Sequence, residues 1–254
     1  MTHTPPITRP PQALVDGILA VGAALASSTL SHMGIRNCHM LGPLAQQSGK
    51  AIAGPALTLQ FMPKREDLYG EGEYIDPEKQ LHRHVLYHVE AGDIVVVDAR
   101  ADMTAGIFGD MMSTYFKGRG GAGMIIDGCL RDRPNLSKLE IPLWIRGWTP
   151  NYHTQTNLMP FAVNAPVACG GVTVMPGDII VADDDGAVCV PVALAEEVIL
   201  QANQSHDWED FSRMKLQAGE PLQRYYPLHD DARGEYDEWR KLNPLKSNSV
   251  TTGE

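Results

Sequence analysis

The residues best suited to chemistry lie in two short segments of the chain. The first is the stretch GIFGD at 106–110, and the second, after twenty intervening residues, contains Arg131 and Asp132. Asp110 stands at the predicted start of a helix, where backbone N–H groups have no partner inside the helix and can hold an anion. The amides that would point into this space are those of Asp110, Met111 and Met112. The pattern predicts an anion site beside a carboxylate, although an exposed Arg-Asp pair is usually a surface salt bridge.

Two kinds of element are needed to position these segments. Apolar runs at 51–62, 93–98, 124–127, 141–145 and 172–191 predict strands, and helices are expected at 12–30, 77–90, 109–118, 193–204 and 207–217. The helix at 77–90 has a clear start, since Asp76 can cap it and Pro77 suits its first position. Mixed strands and helices predict an α/β fold, in which Arg131 and Asp132 follow the end of the 124–127 strand.

Changes of composition divide the chain into three parts. Residues 1–11 form a proline-rich leader, residues 12–204 the α/β domain, and residues 205–254 a charged and aromatic C-terminal extension. The uncharged run at 17–30 resembles a signal peptide but is too short to span a membrane. Its apolar residues follow the spacing of one helical face, so we expect a packed helix of a soluble protein and no membrane partner.

Charge and cysteine content limit the classes of partner and compartment. Of the 254 residues, 31 are acidic and 21 basic, which gives a net charge of -10 and makes nucleic acid an unfavourable partner. The 4 cysteines form no C-x-x-C pair. We therefore expect reduced thiols and a cytoplasmic protein.

One short motif occurs twice. GDIVVVD at 92–98 returns as GDIIVAD at 177–183, and each copy predicts a Gly-Asp turn that leads into a strand. The second copy continues into Asp184-Asp185-Gly186, which predicts a hairpin. A calcium loop would need a glutamate at its twelfth position, where this chain has Leu194.

Two other patterns have a structural and a functional interpretation. GRGGAG at 118–123 matches G-x-G-x-x-G, but a helix precedes it and a strand follows, the reverse of a dinucleotide site, so a tight turn is favoured. His84 and His88, with His82 nearby, could bind zinc from the predicted 77–90 helix. Without a third ligand close in sequence, a solvated or hydrogen-bonded helix face is favoured.

The combined pattern resembles a known family. An aspartate after glycine, twenty residues, and then Arg-Asp is similar to the class II pyruvate aldolase branch of the family named after the regulator of ribonuclease activity A. That branch includes 4-hydroxy-4-methyl-2-oxoglutarate and 4-carboxy-4-hydroxy-2-oxoadipate aldolases. Supporting matches are GPALT at 54–58, the 92–98 motif and PGDIIVADDDG at 176–186, within a resemblance that covers residues 15–200.

The resemblance implies a fold, an assembly and roles for individual residues. The fold would be a single domain of the swivelling β/β/α type. The protein would assemble as a homotrimer or homohexamer with sites between subunits, and its cofactor would be Mg²⁺ or Mn²⁺. Asp132 would ligate the metal, Asp110 would hold it through water, Arg131 would contact the 2-oxo acid, and amides from Gly109 to Met112 would hold its carboxylate. For an acid supplied by the neighbouring subunit the candidates are Glu209, then Asp207 and Glu197.

The chemistry of such a site can be derived from the residue types. Cleaving the bond beside a 2-oxo acid leaves an enolate, which a Schiff-base lysine or a divalent metal can stabilise. The lysines of this chain lie in polar or loop contexts, which favours the metal, and carboxylates select Mg²⁺ or Mn²⁺ over zinc. We therefore predict an aldolase that converts a 4-hydroxy-2-oxo acid to pyruvate and a second carbonyl product, with oxaloacetate decarboxylation as a side activity.

The sequence leaves some alternatives open. A non-catalytic regulator that binds a protein, as a ribonuclease inhibitor does, would also suit the acidic charge. Candidate contacts for a distal substrate carboxylate are Arg65, Arg146 and His153. The insert at 69–76 and the extension from residue 218 could each alter which substrate is accepted.

Overall fold

The computed structural model describes residues 4–69, 76–152 and 157–243. The chain divides into two compact units, residues 1–198 and 199–254. The first unit combines a mixed sheet with helices, which confirms the α/β class, and the described part of the second is helical. Both the division at residue 198 and the boundary predicted after residue 204 fall within the helix Ala195–His206.

The strands of the first unit form one large sheet and one small one. In the large sheet the order is β1-β5-β4-β3-β2-β9-β10, and β6 pairs with β2. Strands β2, β3, β4 and β5 run parallel, whereas β1, β6, β9 and β10 pair in the antiparallel sense. The described strands are β1 Leu44–Ala45, β2 Ile52–Pro63, β3 Ile94–Gly106, β4 Gly123–Leu130, β5 Leu143–Trp148, β6 Leu158–Val163, β7 Val167–Cys169, β8 Val172–Val174, β9 Ile179–Asp183 and β10 Gly186–Val190.

Helices cover the sheet of the first unit and make up most of the second. Strand β4 is buried along its whole length, as expected for a parallel strand covered on both faces. The described helices are α1 Gln12–Val21, α2 Ala23–His32, α3 Leu81–Tyr87, α4 Asp110–Gly118, α5 Arg133–Leu136, α6 Ala195–His206, α7 Glu209–Gln217, α8 Leu222–Tyr225 and α9 Arg233–Leu242.

The single helix predicted for 12–30 is wrong. Gly22 lies between α1 and α2 with a φ of 78°, a value that favours glycine, and the two helices are bent by 97°. The Asp183 carboxylate accepts a hydrogen bond of 2.9 Å from the Ala23 amide and so satisfies the start of α2. Within the described residues no single helix meets the length and apolarity needed to cross a membrane, and α1 with α2 passes that test only as a bent pair.

The helix predicted for 77–90 is also shorter than expected. A 3₁₀ turn occupies Pro77–Lys79, Gln80 is extended, and α3 begins at Leu81. The Asp76 side chain does accept a hydrogen bond from the Glu78 amide, at 3.2 Å. Asp76 therefore caps the 3₁₀ turn rather than the α-helix.

The strand predictions differ from the structure mainly in length and number. The run at 172–191 contains the three strands β8, β9 and β10, and β1, β6 and β7 were missed. Strand β6 contains Pro160, which weakens its sequence signal but fits its pairing with β2 alone. Strand β3 extends beyond the predicted 93–98. Its pairing with β4 is interrupted around Arg100 and Ala101, which both have a positive φ, and resumes at Asp102.

Two turn predictions are confirmed. Between α4 and β4, Gly120 has a φ of 85° and its carbonyl accepts a hydrogen bond from the Gly92 amide at 3.0 Å. A methyl group at Gly121 would lie 2.1 Å from the Phe116 ring, so the turn also needs the absence of a side chain there. The Asp184-Asp185 turn joins β9 and β10 as a hairpin, with Gly186 opposite Asp183.

The leader is bound to the first unit over its described part. The Arg9 guanidinium contacts the buried Asp93 carboxylate at 2.7 and 2.9 Å, and this interaction raises the pKa of Arg9. The Asn164 side chain donates a hydrogen bond of 2.8 Å to the Pro5 carbonyl. Ile7 packs against the apolar cluster that includes Val95. These contacts hold the leader against the first Gly-Asp turn and strand β3.

The second unit has an aromatic core of its own. Phe211 contacts the rings of Tyr225, Tyr236 and Trp239 at centroid distances of 5.7–5.9 Å. Beside this core the Glu235 carboxylate accepts hydrogen bonds from Lys215 and from Arg224, at 2.5 and 2.8 Å. The predicted helix at 207–217 is confirmed as α7.

Candidate active site

The candidate site is built where β3 and β4 end. The Ile107 amide donates to the Cys129 carbonyl at 2.9 Å, and the Arg131 amide donates to the Phe108 carbonyl at 3.1 Å. These bonds hold the segment after β3 beside the segment after β4. The two chemistry-bearing segments, separated by twenty residues in the sequence, therefore lie side by side.

Asp110, Arg131 and Asp132 converge at this point. Asp132 has a φ of 62°, an uncommon conformation for a residue other than glycine, and stands immediately before α5. Its Oδ2 atom lies 3.7 Å from the Arg131 Nε atom and accepts a hydrogen bond of 3.3 Å from the Asp110 amide. The side chains of Arg131 and Asp132 are 38% and 33% exposed, so both can meet a ligand.

Two glycines make room for these side chains. A methyl group at Gly109 would lie 2.4 Å from Asp132 Oδ2 and 2.9 Å from Arg131 Nε. At Gly106 it would lie 2.9 Å from the Arg131 Cβ atom and 2.4 Å from the Asn151 carbonyl oxygen. The sequence gives no sign that either glycine is needed for space. The structure shows this need, because Arg131 lies close against both glycines and Asp132 lies close against Gly109.

Asp110 is held at both of its carboxylate oxygens. It opens α4, where its Oδ1 accepts a hydrogen bond from the Met111 amide at 2.8 Å. Its Oδ2 accepts one from the Asn135 side chain of α5 at 2.9 Å. Asn135, which sequence reasoning missed, thus links the two helices that begin at the site.

The predicted row of open amides needs a correction. The Asp110 amide already bonds Asp132, and the Met111 amide already bonds Asp110. The Met111 side chain is 77% exposed, whereas Met112 contributes to the wall of the cavity beside the site. In this structure, then, carboxylates of the chain itself occupy two of the three amides expected to face a ligand.

A cavity of about 300 Å³ adjoins the convergent residues. This volume suits a small organic acid rather than a polymer or a nucleotide. The described residues that line it are Gln80, His82, Gly106, Ile107, Gly109, Met112, Arg131 and Tyr152. Sequence reasoning missed Gln80 and Tyr152, because single polar residues in a predicted helix and an irregular segment give no recognisable signal.

The three histidines considered as a zinc site have separate surroundings. His82 is only 2% exposed, faces the cavity, and lies 6.4 Å from the Phe108 ring between centroids. The His84 ring hydrogen-bonds the Glu78 carbonyl at 2.7 Å. Burial and the nearby Arg9 lower the pKa of His88. Among the described residues, no group of three His, Cys, Asp or Glu side chains is close enough to hold a metal alone. The prediction of a hydrogen-bonded helix face is confirmed for His84, whereas His82 is buried rather than solvated.

The candidates for a distal carboxylate are engaged elsewhere. Arg65 pairs with Asp67 at 2.5 Å, and both are well exposed. Arg146 pairs with the buried Asp127 and donates to the Leu41 carbonyl at 3.0 Å. Neither arginine contributes to the cavity wall, and His153 lies outside the described residues.

The three candidates for an acid supplied by a neighbouring subunit have different surroundings in the structure. Glu209 opens α7 of the second unit and lines a cavity there with Ser212. Asp207 accepts a hydrogen bond from Tyr236 and pairs with Arg240, so its carboxylate serves the second unit. Glu197 is exposed on α6. The assignment of Glu209 stays a prediction.

The structure combines an α/β fold with a carboxylate and arginine site at the carboxyl ends of parallel strands. A family model described as "RraA-like: Aldolase/RraA" matches residues 14–189, well over half of the chain. The chain therefore belongs to the RraA-like family.

Comparison with individual proteins supports this assignment. The chain is 44% identical to Streptomyces coelicolor RraAS2, "an unusual member of the RNase ES inhibitor RraA protein family", with a TM-score of 0.75, covering 82% of this chain and 100% of that one. An uncharacterised Pseudomonas syringae protein is 27% identical with a TM-score of 0.70, over 86% of this chain and 99% of that one.

A curated relative has an enzyme's name. The chain is 36% identical over 153 residues to "Putative 4-hydroxy-4-methyl-2-oxoglutarate aldolase" of Halalkalibacterium halodurans, covering 60% of this chain and 66% of that protein. An uncharacterised Methanocaldococcus jannaschii protein is 34% identical over 46% of this chain and 55% of its own length. The matches thus span less than two thirds of these curated relatives.

Proposed function

We propose that this protein is a divalent-metal-dependent aldolase that cleaves a 4-hydroxy-2-oxo acid into pyruvate and a second carbonyl compound. The observation that supports this most is the convergence of Asp110, Arg131 and Asp132 over a glycine floor beside a cavity of about 300 Å³. A surface salt bridge alone would need neither the close approach at Gly109 nor an adjoining cavity. The name of the Halalkalibacterium relative agrees with this reaction.

The donor set fits a hard divalent cation. Asp132 and Asp110 offer carboxylate oxygens, and Mg²⁺ is commonly held by one or two carboxylates with water in its remaining positions. No group of three protein ligands gathers in the described residues, so a zinc-type cage is not offered there. We assign Asp132 as the direct ligand of Mg²⁺ or Mn²⁺ and Asp110 as a ligand through water. When bound, the cation would polarise the 2-oxo group as a Lewis acid.

The roles of the chain's own residues follow from the bond that breaks. Cleavage of C3–C4 leaves the electron pair on C3 as an enolate and turns the C4 hydroxyl into a carbonyl as it loses its proton. Arg131 binds the 2-oxo acid and stabilises the negative charge on the former ketone oxygen. Asp110 holds the water that receives the C4 hydroxyl proton. Protonation of C3 then gives the methyl group of pyruvate.

The same arrangement supports a second reaction. Loss of CO₂ from oxaloacetate also leaves the pyruvate enolate, so Arg131 would stabilise the same charge there. We therefore expect oxaloacetate decarboxylation without additional residues.

We also propose an assembly and a compartment. A homotrimer or homohexamer would place an acidic residue, Glu209 being our candidate, at the site of a neighbouring subunit. The four cysteines are all free and buried, which supports a reducing, cytoplasmic location.

A regulator that binds a ribonuclease is the second candidate function. It is supported by the 44% identity to RraAS2, whose description names an RNase ES inhibitor family. A docking surface does not require two carboxylates and an arginine packed over a glycine floor, and we therefore favour the enzyme.

A pyruvate-release assay tests the proposal. The purified protein is treated with EDTA, incubated with a panel of 4-hydroxy-2-oxo acids, and then supplied with Mg²⁺. We expect no pyruvate after EDTA and rapid release after Mg²⁺, with the response retained in an Asp230→Ala control, whose side chain is 90% exposed in the second unit. Absence of Mg²⁺-dependent pyruvate from the whole panel and from oxaloacetate would contradict an enzymatic role and favour the regulator.

A further inference from the structure

One residue of α5, Asn135, is bonded to both acids of the candidate site. Its backbone amide donates a hydrogen bond of 3.0 Å to the Asp132 carbonyl, and its side chain donates one of 2.9 Å to Asp110 Oδ2. The next residue, Leu136, donates to the same carbonyl at 3.0 Å and packs in the core, which anchors this turn of the chain. Asn135 therefore has a fixed backbone beside one acid and a side-chain contact with the other.

The orientation of the Asn135 carboxamide is determined by its two partners. Its Oδ1 accepts a hydrogen bond of 3.3 Å from the Lys138 ammonium group, which can only donate. Its Nδ2 donates to the Asp110 carboxylate, which can only accept when it is ionised. A neutral carboxamide can meet both demands at once, whereas an aspartate at this position would face the like charge of Asp110.

The two hydrogen bonds to Asp110 fix its carboxylate and leave room for a ligand. An ionised carboxylate has about four lone-pair sites. The Met111 amide uses one at Oδ1, and the Asn135 side chain uses one at Oδ2. A carboxylate bonded at one oxygen alone can still turn about its last torsion, which is broad. With a bond at each oxygen, the Asp110 carboxylate is ordered in the folded protein before any ligand binds.

We propose that Asn135 is a positioning residue, which fixes the Asp110 carboxylate in the orientation that holds a water of the divalent cation. This inference rests on the proposed function, from which it takes the assignment of Asp110 to metal-bound water. Asn135 acts through Asp110 and needs no contact with the substrate. Its bonds to Asp110 and Asp132 lie within one chain, so they are present whatever a neighbouring subunit adds to the site.

A double-mutant cycle in metal binding, measured without substrate, tests this role. The dissociation constant of Mn²⁺ is determined by isothermal calorimetry for the unmodified protein, Asn135→Ala, Asp110→Ala and the variant with both changes. Loss of a group that orients a metal-site residue typically weakens metal binding by about 10–100-fold, and we expect about tenfold for Asn135→Ala. In the Asp110→Ala background the same substitution should change the constant by less than about twofold, because Asn135 then has no carboxylate to orient.

Two further variants separate positioning from packing. Asn135→Leu keeps a branched side chain of similar shape without the donor, and should weaken Mn²⁺ binding as much as Asn135→Ala does. Ser137→Ala removes a hydroxyl that donates to the Arg133 carbonyl at 2.9 Å in the same segment, and should leave Mn²⁺ binding unchanged.

Unchanged Mn²⁺ binding in Asn135→Ala, or equal losses with and without the Asp110 carboxylate, would overturn the inference and leave the aldolase proposal standing. Failure of the unmodified protein to bind Mn²⁺ would overturn the metal-dependent function as well.

Discussion

The two strands that follow a Gly-Asp turn, β3 and β9, show that one local sequence can have two structural roles. At the start of β3 the Asp93 carboxylate accepts from the Glu90 amide at 2.7 Å, and at the start of β9 the Asp178 carboxylate accepts from the Met175 amide at 2.9 Å. Gly92 and Gly177 have φ values of 91° and 92°. Both strands pair with β2, in the parallel and the antiparallel sense respectively. The turns are therefore equivalent, and the difference arises beyond them.

The segment after each strand decides the role of that strand. Strand β3 continues through the irregularity at Arg100 and Ala101 and ends at Gly106, next to the candidate site. Strand β9 stops at Asp183 and returns as a hairpin. The repeated motif thus supplies a scaffold, while the residues after β3 and β4 supply the chemistry. Changes after β3 and β4 should then affect turnover, and changes in the turns should affect stability.

The largest effect is expected for Asp132→Ala. Losing the carboxylate that we assign to the metal should lower pyruvate release by about 10³-fold or more and leave the residual rate unresponsive to Mg²⁺. Steady-state rates across a Mg²⁺ titration measure this. A variant with normal turnover and an unchanged Mg²⁺ response would remove Asp132 from the mechanism.

Arg131→Ala should have the next largest effect. Loss of one charge-stabilising group typically lowers a rate by on the order of 10²–10³. The thermal unfolding midpoint should change little, because the side chain is 38% exposed. A rate within a factor of about three of the unmodified protein would contradict the role given to this guanidinium.

Gly109→Ala tests whether the glycine floor positions the site. The added methyl group would meet Asp132 Oδ2 at 2.4 Å and must displace it, so we expect turnover to fall by about 10–10². Gly118→Ala is the matched control, since a methyl group there meets nothing within 4 Å. Equal turnover in both variants would show that the close approach has no catalytic importance.

The turns should respond in stability rather than in turnover. Asp93→Ala leaves Arg9 without its buried partner and the Glu90 amide without its acceptor, a loss of about 2–4 kcal/mol in unfolding free energy. Asp178→Ala removes the acceptor of the Met175 and Val192 amides and should lower it by about 1–2 kcal/mol. Urea denaturation of the two variants measures both losses of unfolding free energy. A larger loss for Asp178→Ala would reverse the order expected from the Arg9 pair.

The smallest effect on stability is expected at Asp98, the last residue of the first motif. Burial, with a contribution from Asp127, raises the pKa of Asp98 above its ordinary value of 3.8. The folded state therefore binds more protons than the unfolded state, and this group's contribution to stability falls as pH rises from about 3.8 through the raised pKa. Asp98→Asn should remove that loss and flatten the dependence of unfolding free energy on pH. A steeper dependence in the variant would contradict the sign.

Sequence reasoning reached the α/β class, the Gly-Asp turns, the hairpin and α4 because each has a local signal. It extended one helix across Gly22, since periodicity does not report that the Asp183 carboxylate would start a second helix there. It grouped His82 with His84 by spacing alone, and burial of His82 against Phe108 depends on tertiary packing. The function of Gly109 as a spacer was also invisible, because it depends on a residue beyond β4.

Exchange of the methyl protons of pyruvate in D₂O, followed by NMR, tests the central claim most directly, because it reports enolate formation without the second product. We predict Mg²⁺-dependent loss of the methyl proton signal with the unmodified protein, no loss after EDTA, and none with Asp132→Ala. Exchange at the buffer rate in the presence of Mg²⁺, or exchange that persists unchanged in EDTA, would contradict the account.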